Sequence, residues 1–137
     1  MKSSLKIHLR RNERLFVNGA VLRSDRKVTL EFMNDVVFLL ESHVLQQEDA
    51  VTPLRQMYFV LQSILMEPGT APFARKMYEE QHEKLSSAFA SKPILEGLEQ
   101  ANELMAADRV FEAMKVIRKL FVLEDEVMKK KSVPVVA

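Results

Sequence analysis

"RLFVNGAVLRSDRKVTLEF", residues 14–32, sets two short apolar runs, Leu15-Phe16-Val17 and Ala20-Val21-Leu22, on either side of Asn18-Gly19. Asn-Gly suits the positive φ values of a two-residue type I′ turn, so the stretch is predicted to form a β-hairpin. "SDRK" reads as a second polar turn, after which Val28, Leu30 and Phe32 alternate with Thr29 and Glu31 as a further strand.

The same period continues outward. In "LKIHLRR", Leu5, Ile7 and Leu9 alternate with Lys6, His8 and Arg10, the pattern of a half-buried strand. On the other side, Asn34-Asp35 signals a turn before "VVFLLESHVL". A β-branched start and a short apolar block fit either a last strand or the start of a helix there. A strand over Val36–Glu41 is the preferred reading.

Beyond residue 49 the period changes. Thr52-Pro53 pairs a hydroxyl cap with Pro at the first helical position, and "LRQMYFVLQSILM" is apolar on most faces, as in a central buried helix. "EPGTAP" ends that helix through Pro68, Gly69 and Pro72. A second helix carries Ala74, Met77, Tyr78, Leu85, Ala88 and Phe89 at helical spacing. A third starts near Pro93 with Ile94, Leu95, Leu98, Ala101 and Met105 on one side. Asp108 is the expected cap of a fourth, striped by Val110, Phe111, Met114, Ile117 and Phe121. The short link between the last two predicts an antiparallel helical hairpin. The fold class is therefore α+β: a small antiparallel β-meander of about four to five strands packed against a C-terminal bundle of about four helices. A basic β-rich unit spans 1–48, a helical bundle 49–128 and a disordered tail 129–137, together one compact domain.

Composition narrows the function classes. Apolar residues make up 47% of the 137, enough for a core, and no run approaches the ~18 residues of a membrane span. The start "MKSSLKIHLRRNER" lacks the continuous apolar segment and cleavage site of a signal peptide, so a cytoplasmic protein is expected. The absence of Cys excludes disulfides, thiolate nucleophiles and zinc-thiolate sites. Charge is divided unevenly. Residues 1–27 hold eight Lys/Arg against two Asp/Glu, whereas the remaining 110 hold 12 against 17.

The three histidines offer little catalytic chemistry. His8 points outward on its strand, and His43 follows Glu41 without a third ligand nearby. Glu79 and His82 have the Glu-x-x-His spacing of two metal ligands on a helix, but a di-iron bundle needs that motif twice with two further carboxylates. Neither a Gly-rich phosphate loop nor a nucleophile elbow appears. No enzyme, no cofactor and no metal site are expected.

The basic strands carry more. Arg10, Arg11, Arg14, Arg23, Arg26 and Lys27 fall at strand ends and turns, where several can converge on one edge to neutralise the phosphates of a nucleic acid. Charge alone favours the competing explanation, that they solubilise an edge strand and block edge-to-edge pairing. A second candidate surface lies on the first helix, where Phe59 falls within the polar strip of Arg55, Gln56, Gln62 and Ser63. A ring framed by Arg55 and Gln62 suits base stacking or a protein contact, but packing under the β-unit is the preferred reading of Phe59.

"NGAVLR", "DRKVTLEF", "FLLE" and "TPLRQMYF", in that order, strongly resemble the FlbT family of flagellin regulators. The resemblance runs from about Leu5 to Pro68 and continues more loosely through the helices. It implies a post-transcriptional regulator that acts on the leader of flagellin messenger RNA, usually repressing translation and promoting decay of the message. Some relatives act positively. The resemblance also implies a protein partner, FlaF, and raises phosphate binding by the six cations above mere solubilisation. The alternative is an interaction protein that engages FlaF or flagellin through Arg55, Phe59 and Gln62 and reaches the message indirectly. No membrane partner is expected, and the free sheet edge makes a homo-oligomer a candidate. "LKIHLRRNERLFVNGAVL" is also loosely similar to the start of the carbon storage regulator proteins, small β-rich RNA binders, in mode rather than kinship.

Overall fold

Asn18 and Gly19 turn the chain at φ 52° and 89°, both in the left-handed region that the type I′ turn requires. The turn joins β2 (Arg14–Val17) to β3 (Ala20–Arg23) with Val17 opposite Ala20, as predicted. The computed structural model describes residues 5–34, 36 and 38–136, with side chains through Lys129. The tail expected over 129–137 therefore lies, beyond Lys129, outside the described side chains.

Among the described residues five strands form, all pairing antiparallel and divided between two sheets rather than following one meander. β1 (Leu5–Leu9) reaches past the hairpin to β4 (Val28–Phe32), with Leu9 opposite Val28. β2 is the centre of the other sheet, between β3 and β5 (Phe38–Leu40). The cause is apolar coverage. Ile7 and Leu9 from the first sheet and Leu15 from the second bury each other, ringed by Val17, Val28, Phe32, Phe38 and Leu40. Phe16 and Leu39 point the other way, into the helical core.

β2 and β5 are thus covered on both faces while β3 stays exposed along its length, and that double cover explains why Phe38-Leu39-Leu40 shows no polar alternation. That settles the ambiguity of residues 36–45. The strand is three residues long, shorter than the expected Val36–Glu41, and gives way to a 3-10 turn over Glu41–His43. Asp35 and Val37 lie outside the described residues.

The helices are α1 (Pro53–Met66), α2 (Ala71–Ala88), α3 (Lys92–Ala106) and α4 (Val110–Val136). Thr52 caps α1 by accepting the Arg55 amide at 3.3 Å. Pro72, read from sequence as a breaker, instead sits in the first turn of α2, where its missing N–H has no partner to lose. α1 buries Leu54, Met57, Tyr58, Val60, Leu61, Ile64 and Leu65, the central position its sequence predicted. Asp108 does not take the expected capping place. It adopts φ 61° in the turn before α4, where its carboxylate pairs with Arg75 of α2. α3 and α4 pack closely at Gly97, where a Cβ would meet Leu120 Cδ2 at 2.6 Å. Among the described residues, no helix is long and apolar enough to cross a membrane.

Candidate nucleic-acid interface

The turn between β1 and β2 holds Arg10, Arg11, Asn12 and Glu13. It closes through the Glu13 amide on the Arg10 carbonyl at 3.0 Å, and the Glu13 carboxylate accepts the Arg10 amide at 2.9 Å. Asn12, at φ 64°, then donates its amide to the Ser24 carbonyl at 2.8 Å. Ser24 opens the β3–β4 turn, whose Arg26 and Lys27 follow directly. One hydrogen bond thereby sets two basic turns side by side.

The strand registers complete the gathering. Leu9 opposite Val28 places Arg10 and Lys27 one step beyond the end of the β1–β4 ladder. Arg14 lies directly opposite Arg23 at the same end of the β2–β3 ladder. All six predicted cations are brought to one end of the β-unit, and the Asn18-Gly19 turn lies at the other end of the hairpin. Two of the six have carboxylate partners: Arg14 meets Glu41 at 3.4 Å and Arg26 meets Asp25 at 3.2 Å. Arg10, Arg11, Arg23 and Lys27 join no ion pair among the described residues. Like charges directly opposite on a ladder oppose folding. Glu41 offsets this by accepting both the Arg14 amide, at 2.7 Å, and its guanidinium. Those bonds hold the Glu41 carboxyl below its ordinary value of 4.5.

The second predicted surface is placed differently. Arg55 grips Asp125 of α4 with two bonds, 2.7 Å and 3.0 Å, and lies 4.6 Å over the Phe121 ring. Gln62 is only 4% exposed and reads both backbone groups of Leu45, accepting its amide at 2.6 Å and donating to its carbonyl at 2.8 Å. Phe59 is half-buried between them along α1. The polar atoms of Arg55 and Gln62 are thus engaged within the chain. His82 has a hydrogen bond of 3.2 Å between its Nε2 and the Leu98 carbonyl, and among the described residues no three His, Asp or Glu side chains gather as metal ligands.

The structure adds cations that the apolar stripe of α4 concealed. Lys115, Arg118 and Lys119 recur at helical spacing on one face and line a cleft of about 480 Å³ with Ser42 and His43. Arg118 donates to the Tyr58 hydroxyl at 3.2 Å, and that hydroxyl donates to the His43 carbonyl at 2.5 Å. Lys115 Nζ stands 5.3 Å over the Phe111 ring, and the His43 ring meets the same phenyl edge-on at 5.5 Å. Burial depresses the His43 pKa first, and the charges of Arg118 and Lys115 lower it further. The i, i+3, i+4 spacing was visible in sequence, but nothing local showed that the chain folds the Glu41–His43 turn against it.

The family described as Flagellar protein FlbT matches residues 5–128. A probable flagellum biosynthesis repressor protein FlbT from Rhizobium leguminosarum bv. trifolii is 48% identical over 134 residues, 98% of this chain and 90% of the relative. Proteins of the same description from Allorhizobium ampelinum and Agrobacterium fabrum are 50% and 47% identical, each over 93% of this chain and 86% of the relative. No solved structure matches the chain. With its strands, α1 to α3 and most of α4 inside the matched span, the chain belongs to the FlbT family of flagellar proteins.

Proposed function

We propose that this protein represses flagellum biosynthesis after transcription, by binding the leader of flagellin messenger RNA through the cations at one end of its β-unit. The observation that carries this reading is the Asn12–Ser24 hydrogen bond, which aligns two basic turns. Arg10, Arg11, Arg14, Arg23, Arg26 and Lys27 are the phosphate contacts. Such contacts position the strand, and specificity then comes from unpaired leader bases. The Arg14–Arg23 apposition adds support, because it sets two exposed cations side by side at that end of the ladder. The repressor descriptions of the relatives support the direction of control. No catalytic step and no cofactor enter this reading.

The test is leader binding by purified protein as a function of salt. Reversing three charges, Arg23→Glu, Arg26→Glu and Lys27→Glu, is expected to abolish binding while leaving the unfolding midpoint near its original value, since all three side chains are exposed. Unchanged affinity in this variant at low salt overturns the assignment. If the purified protein binds leader RNA only after FlaF is added, function moves to protein interaction.

A further inference from the structure

The strand-end cations and the α4 cleft flank the same 3-10 turn. Glu41, at its start, holds Arg14 from the β-unit, and His43, at its end, lines the cleft with Ser42, Lys115, Arg118 and Lys119. Glu41, bonded to Arg14, and His43, lining the cleft, are thus two residues apart along one turn, so the two basic regions adjoin. None of the ion pairs among the described residues includes Lys115, Arg118 or Lys119. Arg118 is steered by Tyr58, Lys115 lies over Phe111, and the Nδ1 of His43 is buried without a hydrogen-bond partner among the described residues. Three cations that join no ion pair among the described residues, set around Ser42 and the His43 ring, concentrate positive potential where a phosphodiester fits.

We propose that Lys115, Arg118 and Lys119, with Ser42 and His43, form a second phosphate-binding cleft that carries a bound RNA strand from the β-unit onto α4. This rests on the reading of the protein as an RNA binder and enlarges its footprint to both units. Lys115 and Lys119 supply point charges at the rim, Arg118 presents its remaining N–H groups, and the Ser42 hydroxyl donates to a phosphate oxygen. The cleft lies within the acidic part of the chain, so net charge hides it.

Leader RNA and a short oligouridylate are titrated against the full chain and against a Lys115→Ala, Lys119→Ala variant across a range of salt. Both lysines are exposed, so the variant is expected to keep the wild-type unfolding midpoint. For single strands each lost phosphate contact lowers the log–log salt slope by about 0.7, giving a reduction of about 1.4 and at least tenfold weaker binding at low salt. In parallel, oligouridylate is expected to raise the pKa of the His43 ring, followed by its NMR resonances, in wild type but far less in the variant. An unchanged slope and an unmoved His43 overturn the cleft, and loss of RNA binding in the Arg23, Arg26, Lys27 reversal would then leave the broader reading standing. Absence of RNA binding by the wild type overturns both. A variant that keeps its RNA slope but loses affinity for polyglutamate assigns the cleft to acidic protein and overturns the proposal.

Discussion

Glu124, wholly buried on α4, accepts the amide of Leu54 in the first turn of α1 at 2.8 Å. The same carboxylate accepts the Thr52 hydroxyl at 2.5 Å, so one acidic side chain caps a helix from 70 residues away. A carboxylate at a helix N-terminus meets free N–H groups and the positive end of the dipole. Glu124→Ala leaves a buried amide without an acceptor and is expected to cost about 3 kcal/mol. Glu124→Gln keeps the shape but offers one oxygen to two donors, for about 1–2 kcal/mol. Urea midpoints measure both, and a Glu124→Gln variant as stable as wild type beside a costly Glu124→Ala would mean packing, not capping, is the role of the side chain.

Arg55 and Asp125 join the same helices at the surface. The Arg55 guanidinium holds the Asp125 carboxyl below its ordinary 3.8, through its hydrogen bonds first and its charge second. A carboxylate with a depressed folded pKa adds stability that is complete above the unfolded value and disappears as pH falls through the folded one. Asp125→Asn is therefore expected to be less stable than wild type near neutrality, by under about 1 kcal/mol for so exposed a pair. The two stability curves should converge below pH 3.8. A constant gap between the curves down to the acid limit would remove the pair from the acid response.

Gln62 completes both hydrogen bonds of Leu45, a task that needs one acceptor and one donor on a single side chain. Ionised carboxylate accepts but cannot donate. Gln62→Glu is expected to lose about 1–3 kcal/mol at neutral pH. Burial and the facing carbonyl raise the pKa of the introduced Glu, so stability should recover as pH falls and it protonates. A urea midpoint that falls further on acidification, beyond the wild-type trend, would refute this.

Gly97 faces Leu120 at a distance that excludes a side chain, with Cδ1 and Cδ2 at 2.7 Å and 2.6 Å from a built Cβ. Gly97→Val is expected to cost about 2 kcal/mol through overpacking between α3 and α4. In a Leu120→Ala background the cost should shrink by about 1 kcal/mol or more, because the space is then free. Additive losses in the double-mutant cycle would place the strain elsewhere.

Local chemistry was sufficient for much of this protein. Asn18-Gly19 wrote its own turn, because few other pairs tolerate two positive φ values. Thr52-Pro53 and Pro93 marked helix starts, and the period-2 and helical apolar patterns separated a β-unit from a bundle. The six cations were legible as residues. Their convergence was not, since it depends on β1 passing the hairpin to pair with β4 and on the Asn12–Ser24 bond. Both features arise from burying Ile7 and Leu9 against Leu15, a contact between segments that no local pattern ranks. Long-range partners likewise turned Arg55 and Gln62 inward and brought the Glu41–His43 turn against α4. Sequence by itself determined which elements form, because backbone preference and apolar periodicity act over a few residues. Tertiary structure alone decided which charges share a surface, because that follows from how distant apolar faces find cover.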